Sequence, residues 1–233
     1  MHSSHSVPRA ITRLKNFFYA NVAIALLFTF SLFTGCKKEL DYTPYISELR
    51  SNIFLASTEE FTLRVYAVHK ETPYCPDGIP RERTHRVEAR FTAPSGDKTC
   101  RFYFTHDEQE MGGEMHYDNV KAEYYYSCSL DISALPTLPC RIEYGEETLS
   151  LNAPSVKQKD TLSAAQILKK LQTEEGELFA SMTDKYGFTG EIYVRLIYEE
   201  APYYYVGIID RNGAVHAFLL NAQSGKILAK RTT

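Results

Sequence analysis

Short segments that alternate apolar and polar residues dominate the middle of this 233-residue chain. Six segments of this kind follow one another, separated by turn residues: 61–68, 86–91, 100–104, 122–130, 140–144 and 148–151. Period-two alternation is typical of strands that bury one face of a sheet. Because no amphipathic helix separates these strands, the pattern favours an all-β sandwich over residues 58–154.

The last third of the chain has a different pattern. Ser163 and Gln166 have the spacing of a capping box at a helix start, and apolar residues then recur on one helical face. We expect a helix over residues 164–186, broken near Gly176 because glycine disfavours helix interiors. Four strands are predicted after it, at 191–198, 203–209, 214–220 and 227–230. The turn of a hairpin is predicted at Asp210-Arg211-Asn212-Gly213.

The end of this region resembles a known family. Asn221, Ser224, Gly225 and Ile227 occupy the positions of the Asp-x-x-Thr-Gly-x-Ile/Val signature of PepSY domains, with Asn in place of Asp and Ser in place of Thr. The resemblance implies a small α+β domain over residues 160–233, PepSY- or cystatin-like, with a helix packed on an antiparallel sheet. PepSY domains restrain secreted metallopeptidases, so the resemblance also implies binding of an envelope peptidase and no turnover. The stretch 126–144 is similar to immunoglobulin-like modules, which makes the expected fold an immunoglobulin-like sandwich followed by this domain.

The first residues of the chain have the features of an export signal. Three basic residues and no acidic residue precede an apolar run over residues 17–33. The run ends in Phe33-Thr34-Gly35-Cys36, which resembles a bacterial lipobox, and the resemblance implies a lipid on Cys36. We expect a signal peptide at 1–35 and a lipidated N-terminus and linker at 36–57. The alternative is an uncleaved anchor helix. Either way the remainder lies on the extracytoplasmic face of the cell membrane.

Charge and cysteine content narrow the class of protein. The chain has 26 basic and 29 acidic residues, and loss of the three basic residues of the leader leaves 23 basic residues and a net charge of −6. This acidic balance excludes nucleic acid as a partner. Four cysteines would follow Cys36 in a compartment that permits disulfides: Cys75, Cys100, Cys128 and Cys140. They are interpreted as structural, either paired or buried, and three connectivities are open.

The sequence contains no common catalytic template and no motif that calls for a cofactor, so no enzyme is predicted. Tyr203, Tyr204 and Tyr205, with Asn221, Ser224 and Gly225 of the signature, are the candidate binding residues. The segment from His106 to Asp118 is interpreted as a solvated loop around a Gly-Gly tip. The alternative is a metal site formed by four of its side chains: His106, Glu108, Glu110 and His116. An unrecognised hydrolase site stays open as a further hypothesis.

These patterns lead to one functional expectation. The chain is expected to be an exported, membrane-anchored lipoprotein with a non-catalytic binding role, and its partner an envelope protein or peptidase. The alternative is an extracytoplasmic metal- or ligand-binding lipoprotein that uses the His106 to Asp118 loop.

Overall fold

The computed structural model describes residues 40–73, 77 and 79–233. The leader, Cys36 and Cys75 lie outside these described residues, so the expectations that concern them stay predictions. Tyr42–Thr233 forms one compact unit. No helix in the described part of the chain is long and apolar enough to cross a membrane.

The described chain is mostly β, with 55% of its residues in strands and 11% in helices. A short 3-10 helix (Thr43–Tyr45) comes first. The strands of the first half are β1 (Ile46–Ser57), β2 (Thr62–Glu71), β3 (Arg83–Thr92), β4 (Cys100–His106), β5 (Gln109–Glu114), β6 (His116–Asp118), β7 (Glu123–Cys128), β8 (Thr137–Tyr144) and β9 (Glu147–Pro154). The second half contains α1 (Ala164–Glu174), α2 (Gly176–Ser181), β10 (Thr183–Asp184), β11 (Gly187–Phe188), β12 (Glu191–Tyr198), β13 (Pro202–Ile209), β14 (Val215–Asn221) and β15 (Ile227–Thr232).

Nine of these strands form one mixed sheet that runs through both halves of the chain. Its order is β15-β14-β13-β12-β1-β2-β3-β7-β6. β1 pairs parallel to β12 and antiparallel to β2, and the other neighbours in the sheet are antiparallel. A four-stranded sheet has the order β5-β4-β8-β9, and β10 pairs with β11. β1 is therefore the strand that joins the two halves.

Two hydrophobic cores lie on the same face of the nine-stranded sheet. One contains residues of α1 and α2 together with Val194 of β12, and the other contains residues of the four-stranded sheet together with Val65 of β2. Leu49 pairs with Val194 on one side and with His69 on the other, and paired residues project from the same face of a sheet. His69 lies four residues after Val65 in β2, so its side chain projects from the same face as that of Val65. Apart from Ile53 and Tyr66, which pair on the opposite face and also contact the first core, that face has no covering layer in the described chain.

The expected fold class is wrong. A sandwich followed by a separate α+β domain would need two sheets that share no strand. Instead β1 is hydrogen-bonded on one edge to β2 and on the other to β12. β1 also occupies the last twelve residues of the stretch expected to be a linker, 36–57. The two halves that were expected to be an immunoglobulin-like and a PepSY-like domain therefore share one sheet.

Several local predictions are confirmed. The Ser163 side chain accepts a hydrogen bond from the Gln166 backbone while the Gln166 side chain accepts one from the Ser163 backbone, which completes the capping box. The predicted helix is interrupted at Glu175 and ends at Ser181, earlier than expected. Gly213 has a φ of 84° in the turn between β13 and β14, a conformation that glycine adopts without strain.

Candidate functional site

The uncovered face of the nine-stranded sheet carries an unusual set of arginine and tyrosine side chains. Strand alternation places them on this face, since their neighbours in each strand belong to the two cores. All are partly exposed. We call this surface the arginine–tyrosine face, and its residues are Arg50, Tyr66, Arg90, Tyr125, Tyr193, Arg195 and Tyr205.

An ion pair across the β1–β12 junction anchors one side of the face. Arg195 Nε and Nη2 donate to the two carboxylate oxygens of Glu48 at 2.6 and 3.0 Å, and Lys70 Nζ lies 3.5 Å from the same carboxylate. Burial acts to raise the pKa of Glu48, but the hydrogen bonds and charge of Arg195 outweigh it and lower this pKa. Glu48 is therefore ionised and directly paired with Arg195, while its charge also acts on Arg50 at longer range.

Arg50 differs from the other arginines of the face. Its guanidinium carbon lies 4.2 Å from the centroid of the Tyr66 ring, in a cation–π contact. No carboxylate of the described chain lies within 4.0 Å of it, and its buried Nε has no hydrogen-bond partner there. Burial lowers the pKa of Arg50 from its ordinary value. Glu48 and Glu88 act on Arg50 only at longer range. A partly desolvated cation without a directly paired carboxylate is costly, and an incoming carboxylate would offset that cost.

Two adjoining cavities open on this face, and Arg50 lines both. The larger has a volume of about 620 Å³ and is lined by side chains of β1, β2, β3, β6, β7 and β12. The smaller, of about 300 Å³, lies between Tyr66 and Tyr198. In the larger cavity Arg90 Nη1 donates to Glu123 at 2.5 Å, so this arginine is already paired. Arg50 is therefore the group in this cavity best suited to accept an external anion.

The predicted tyrosine triplet is divided between the two faces of β13. Tyr204 is a core residue whose hydroxyl donates to the Leu162 carbonyl at 2.8 Å, and burial raises its pKa to about 12. Tyr205 pairs with Arg195 and belongs to the arginine–tyrosine face, and Tyr203 lies on the same side. Tyr204 therefore packs in the core, and the prediction that it is a binding residue is wrong.

The signature residues Asn221, Ser224 and Gly225 form a turn. The Asn221 side-chain oxygen accepts hydrogen bonds from the backbone N–H of Gln223 and Ser224 at 3.1 and 2.9 Å. Gly225 has a φ of 71° and packs against Lys170 of α1, where a Cβ would lie 2.2 Å from the Lys170 side chain. These residues connect β14 to β15 and hold the turn against α1, and no cavity described here includes them.

The four candidate ligands of the His106 to Asp118 segment are not brought together. His106 ends β4 in the four-stranded sheet, whereas His116 begins β6 at the edge of the nine-stranded sheet. Glu110 is engaged by Arg141, whose Nη2 lies 2.8 Å from its carboxylate. The expected Gly-Gly tip is also wrong: the turn is at Asp107 and Glu108, which have φ values of 48° and 62°, and the glycines lie inside β5. The segment is a hairpin that crosses from one sheet to the other.

The three described cysteines are free thiols. Cys100 and Cys140 are buried, and burial raises the pKa of each to about 12. Cys128 is partly buried, and burial also raises its pKa. These thiols therefore act as packing groups rather than nucleophiles. This agrees with the interpretation of the cysteines as structural residues.

The sequence did not single out the residues that the structure brings together as metal-type ligands. In the described chain one group of three converges: His69, His85 and Asp131. The predicted strands stopped at residue 68 and began at residue 86, so each histidine lay one position outside a strand. When two antiparallel strands follow each other in the chain, the end of the first lies beside the start of the second. This rule could have placed His69 next to His85.

We assign the arginine–tyrosine face from the contacts, charges and burial of the residues that form it. Relatives of known function do not supply an assignment for it. No protein-family model matches the chain, and neither a curated protein nor a solved structure matches it.

Proposed function

We propose that this chain is an exported, lipid-anchored protein with a non-catalytic role, which binds an envelope protein through its arginine–tyrosine face. The export signal and the lipobox-like Phe33-Thr34-Gly35-Cys36 support the location. Two acyl chains on one cysteine are enough for stable anchoring. The proposed partner is a protein that presents an acidic segment, at the extracytoplasmic side of the membrane.

The observation that carries the proposal is the state of Arg50. It is partly buried between two cavities, stacked on Tyr66, and has no carboxylate partner in the described chain. Tyrosine and arginine are also the residues enriched at the energetic centres of protein interfaces. A carboxylate from a partner would complete the charge pattern of the face, in which the neighbouring arginines are already paired.

The binding test compares capture of membrane proteins by four forms of the full chain. Solubilised membranes are passed over the unmodified chain and over Arg50→Gln, Arg231→Gln and Tyr125→Ala variants. Arg231→Gln changes an exposed arginine of β15 and serves as the control. We expect one partner to be recovered with the unmodified and Arg231→Gln chains and to be reduced at least tenfold with Arg50→Gln. A Tyr125→Ala variant, which leaves Arg50 in place, should also weaken recovery. Equal recovery with all four chains, or recovery of no partner, contradicts the proposal.

The identity of the recovered partner tests the narrower prediction of a peptidase. An envelope peptidase captured through Arg50, and slowed by the chain in a proteolysis assay, would support restraint of that enzyme. Capture of a protein without peptidase activity would contradict restraint and leave the binding role standing.

The anchoring part is tested separately. Cys36→Ala should abolish incorporation of radiolabelled fatty acid and shift the size of the chain, because the leader is not removed, whereas the matched control Cys128→Ala should change neither. Labelling that survives Cys36→Ala would contradict the lipid anchor.

A further inference from the structure

Three side chains with metal-type ligand atoms meet on the covered side of the nine-stranded sheet. His69 of β2 and His85 of β3 are direct cross-strand partners, and their ring centroids lie 4.4 Å apart. Asp131, which follows β7, places its two carboxylate oxygens 2.9 Å from His85 Nδ1 and 3.9 Å from His69 Nε2. One ligand atom from each residue therefore falls within 4.8 Å of the others.

These distances match what a small divalent ion requires. Ligand atoms about 2.0–2.1 Å from a tetrahedral zinc ion lie about 3.3 Å from one another. The separations of 2.9 and 3.9 Å, which run to the two different oxygens of Asp131, lie on either side of this value, and all three ligand atoms lie within 4.8 Å of one another. Small side-chain movements would bring them around one ion. Two imidazole nitrogens and one carboxylate oxygen are also the ligand types that zinc prefers.

The three residues are held by rigid parts of the fold. The histidines lie on neighbouring strands inside the sheet, and the segment that carries Asp131 is fixed by the buried Ile132. Asn52 of β1 donates from Nδ2 to the carbonyls of Ser133 and Leu135 at 3.2 and 3.3 Å. A site whose ligands are fixed before binding loses less conformational entropy when an ion binds.

The site is also accessible. The side chain of His69 is 17% exposed, whereas His85 and Asp131 are 47% and 43% exposed, so a fourth coordination position would face solvent. The Asp131 carboxylate reaches both histidines, and the two rings are packed against each other.

We infer that His69, His85 and Asp131 form a binding site for a divalent transition-metal ion of the zinc class, with three protein ligands and one open position. The site is separate from the arginine–tyrosine face, which lies on the opposite side of the sheet. It is also separate from the His106 to Asp118 segment, whose histidines lie in two different sheets.

The test is calorimetric titration of Zn²⁺ into the full chain purified in detergent. We expect one ion to bind with a Kd in the micromolar range or below. His69→Gln, His85→Gln and Asp131→Asn should each weaken binding by about tenfold or more, and the double His69→Gln/His85→Gln variant should abolish it. His106→Gln is the matched control and should leave the affinity unchanged, since His106 lies in the four-stranded sheet, outside the proposed site.

A second measurement needs no variant to fold. In the unmodified chain, Zn²⁺ should protect His69 and His85 from diethyl pyrocarbonate while the exposed His116 stays reactive. Absence of Zn²⁺ binding, equal affinity in the His69 and His106 variants, or protection of His116 instead of His85 would overturn the assignment.

Discussion

Replacing Asn52 with alanine tests the hydrogen-bonded junction that holds the 129–136 segment against β1. The Asn52 side chain is buried and makes four hydrogen bonds. Its Nδ2 donates to the carbonyls of Ser133 and Leu135, and its Oδ1 accepts from Ile53 N at 2.9 Å and Ser155 Oγ at 2.7 Å. Each such bond contributes about 1 kcal/mol net, and a buried group left unpaired costs about 1–3 kcal/mol. The Ser155 hydroxyl can turn towards water, so we expect a loss of about 3 kcal/mol in the free energy of unfolding.

Urea unfolding followed by circular dichroism measures this loss, with Asn152→Ala as the matched control. Asn152 is exposed on β9, so its replacement should change the free energy of unfolding by less than about 0.5 kcal/mol. Because the same segment carries Asp131, Asn52→Ala should also weaken Zn²⁺ binding. A loss below about 1 kcal/mol for Asn52→Ala would refute the reasoning, since it would mean that these four bonds are replaced without cost.

Three further predictions follow from backbone geometry, burial and ligand linkage. Gly112→Ala should destabilise the chain by more than about 2 kcal/mol in urea unfolding, because the new Cβ would lie 2.1 Å from the Phe102 carbonyl oxygen. The matched control Gly113→Ala should be tolerated, since its nearest contact would be at 3.5 Å. Burial raises the pKa of Cys100 and of Cys140 to about 12, so about one thiol in ten thousand is ionised at pH 8. Both cysteines should therefore resist iodoacetamide at pH 8 and should react once urea unfolds the chain. Mass spectrometry of the alkylated chain checks this, and rapid native labelling of either would contradict the burial. Zn²⁺ at 100 times its Kd should raise the melting temperature by about 5–10 °C, since binding of this strength contributes about 2.7 kcal/mol, and calorimetry that finds no shift would contradict a site formed only in the folded chain.

Local features of the fold were predictable where a few neighbouring residues determine them. The Ser163–Gln166 capping box fixes the start of α1, and the Asn212-Gly213 turn fixes the hairpin between β13 and β14. The alternating segments were predicted as strands because each buries one face on a core. All of this information lies within about ten residues of chain.

The shared sheet was not predictable in the same way. β1 shifts its register between Arg50 and Asn52, and this irregularity breaks the alternation that identifies a strand. Its parallel partner β12 lies far along the chain, and no local pattern encodes such a pairing. The arginine–tyrosine face depends on this pairing. The metal-type cluster depends on the register of β2 with β3 and on the position of the segment that carries Asp131. The residues of both were visible in the sequence, but neither Asp131 beside the histidines nor the shared face was encoded in a local pattern.

The central position of β1 has a consequence for when the protein can fold. Ser47 Oγ donates to the Ile192 carbonyl across 145 residues of sequence, so the sheet stays divided until nearly the whole chain has been synthesised. During that interval one edge of β1 has no partner, and an unpaired edge is a template for association with other chains. We expect a chain truncated after residue 160 to self-associate, which size-exclusion chromatography would detect and a monomeric fragment would contradict. Completion of the sheet therefore waits for the last part of the chain to become available.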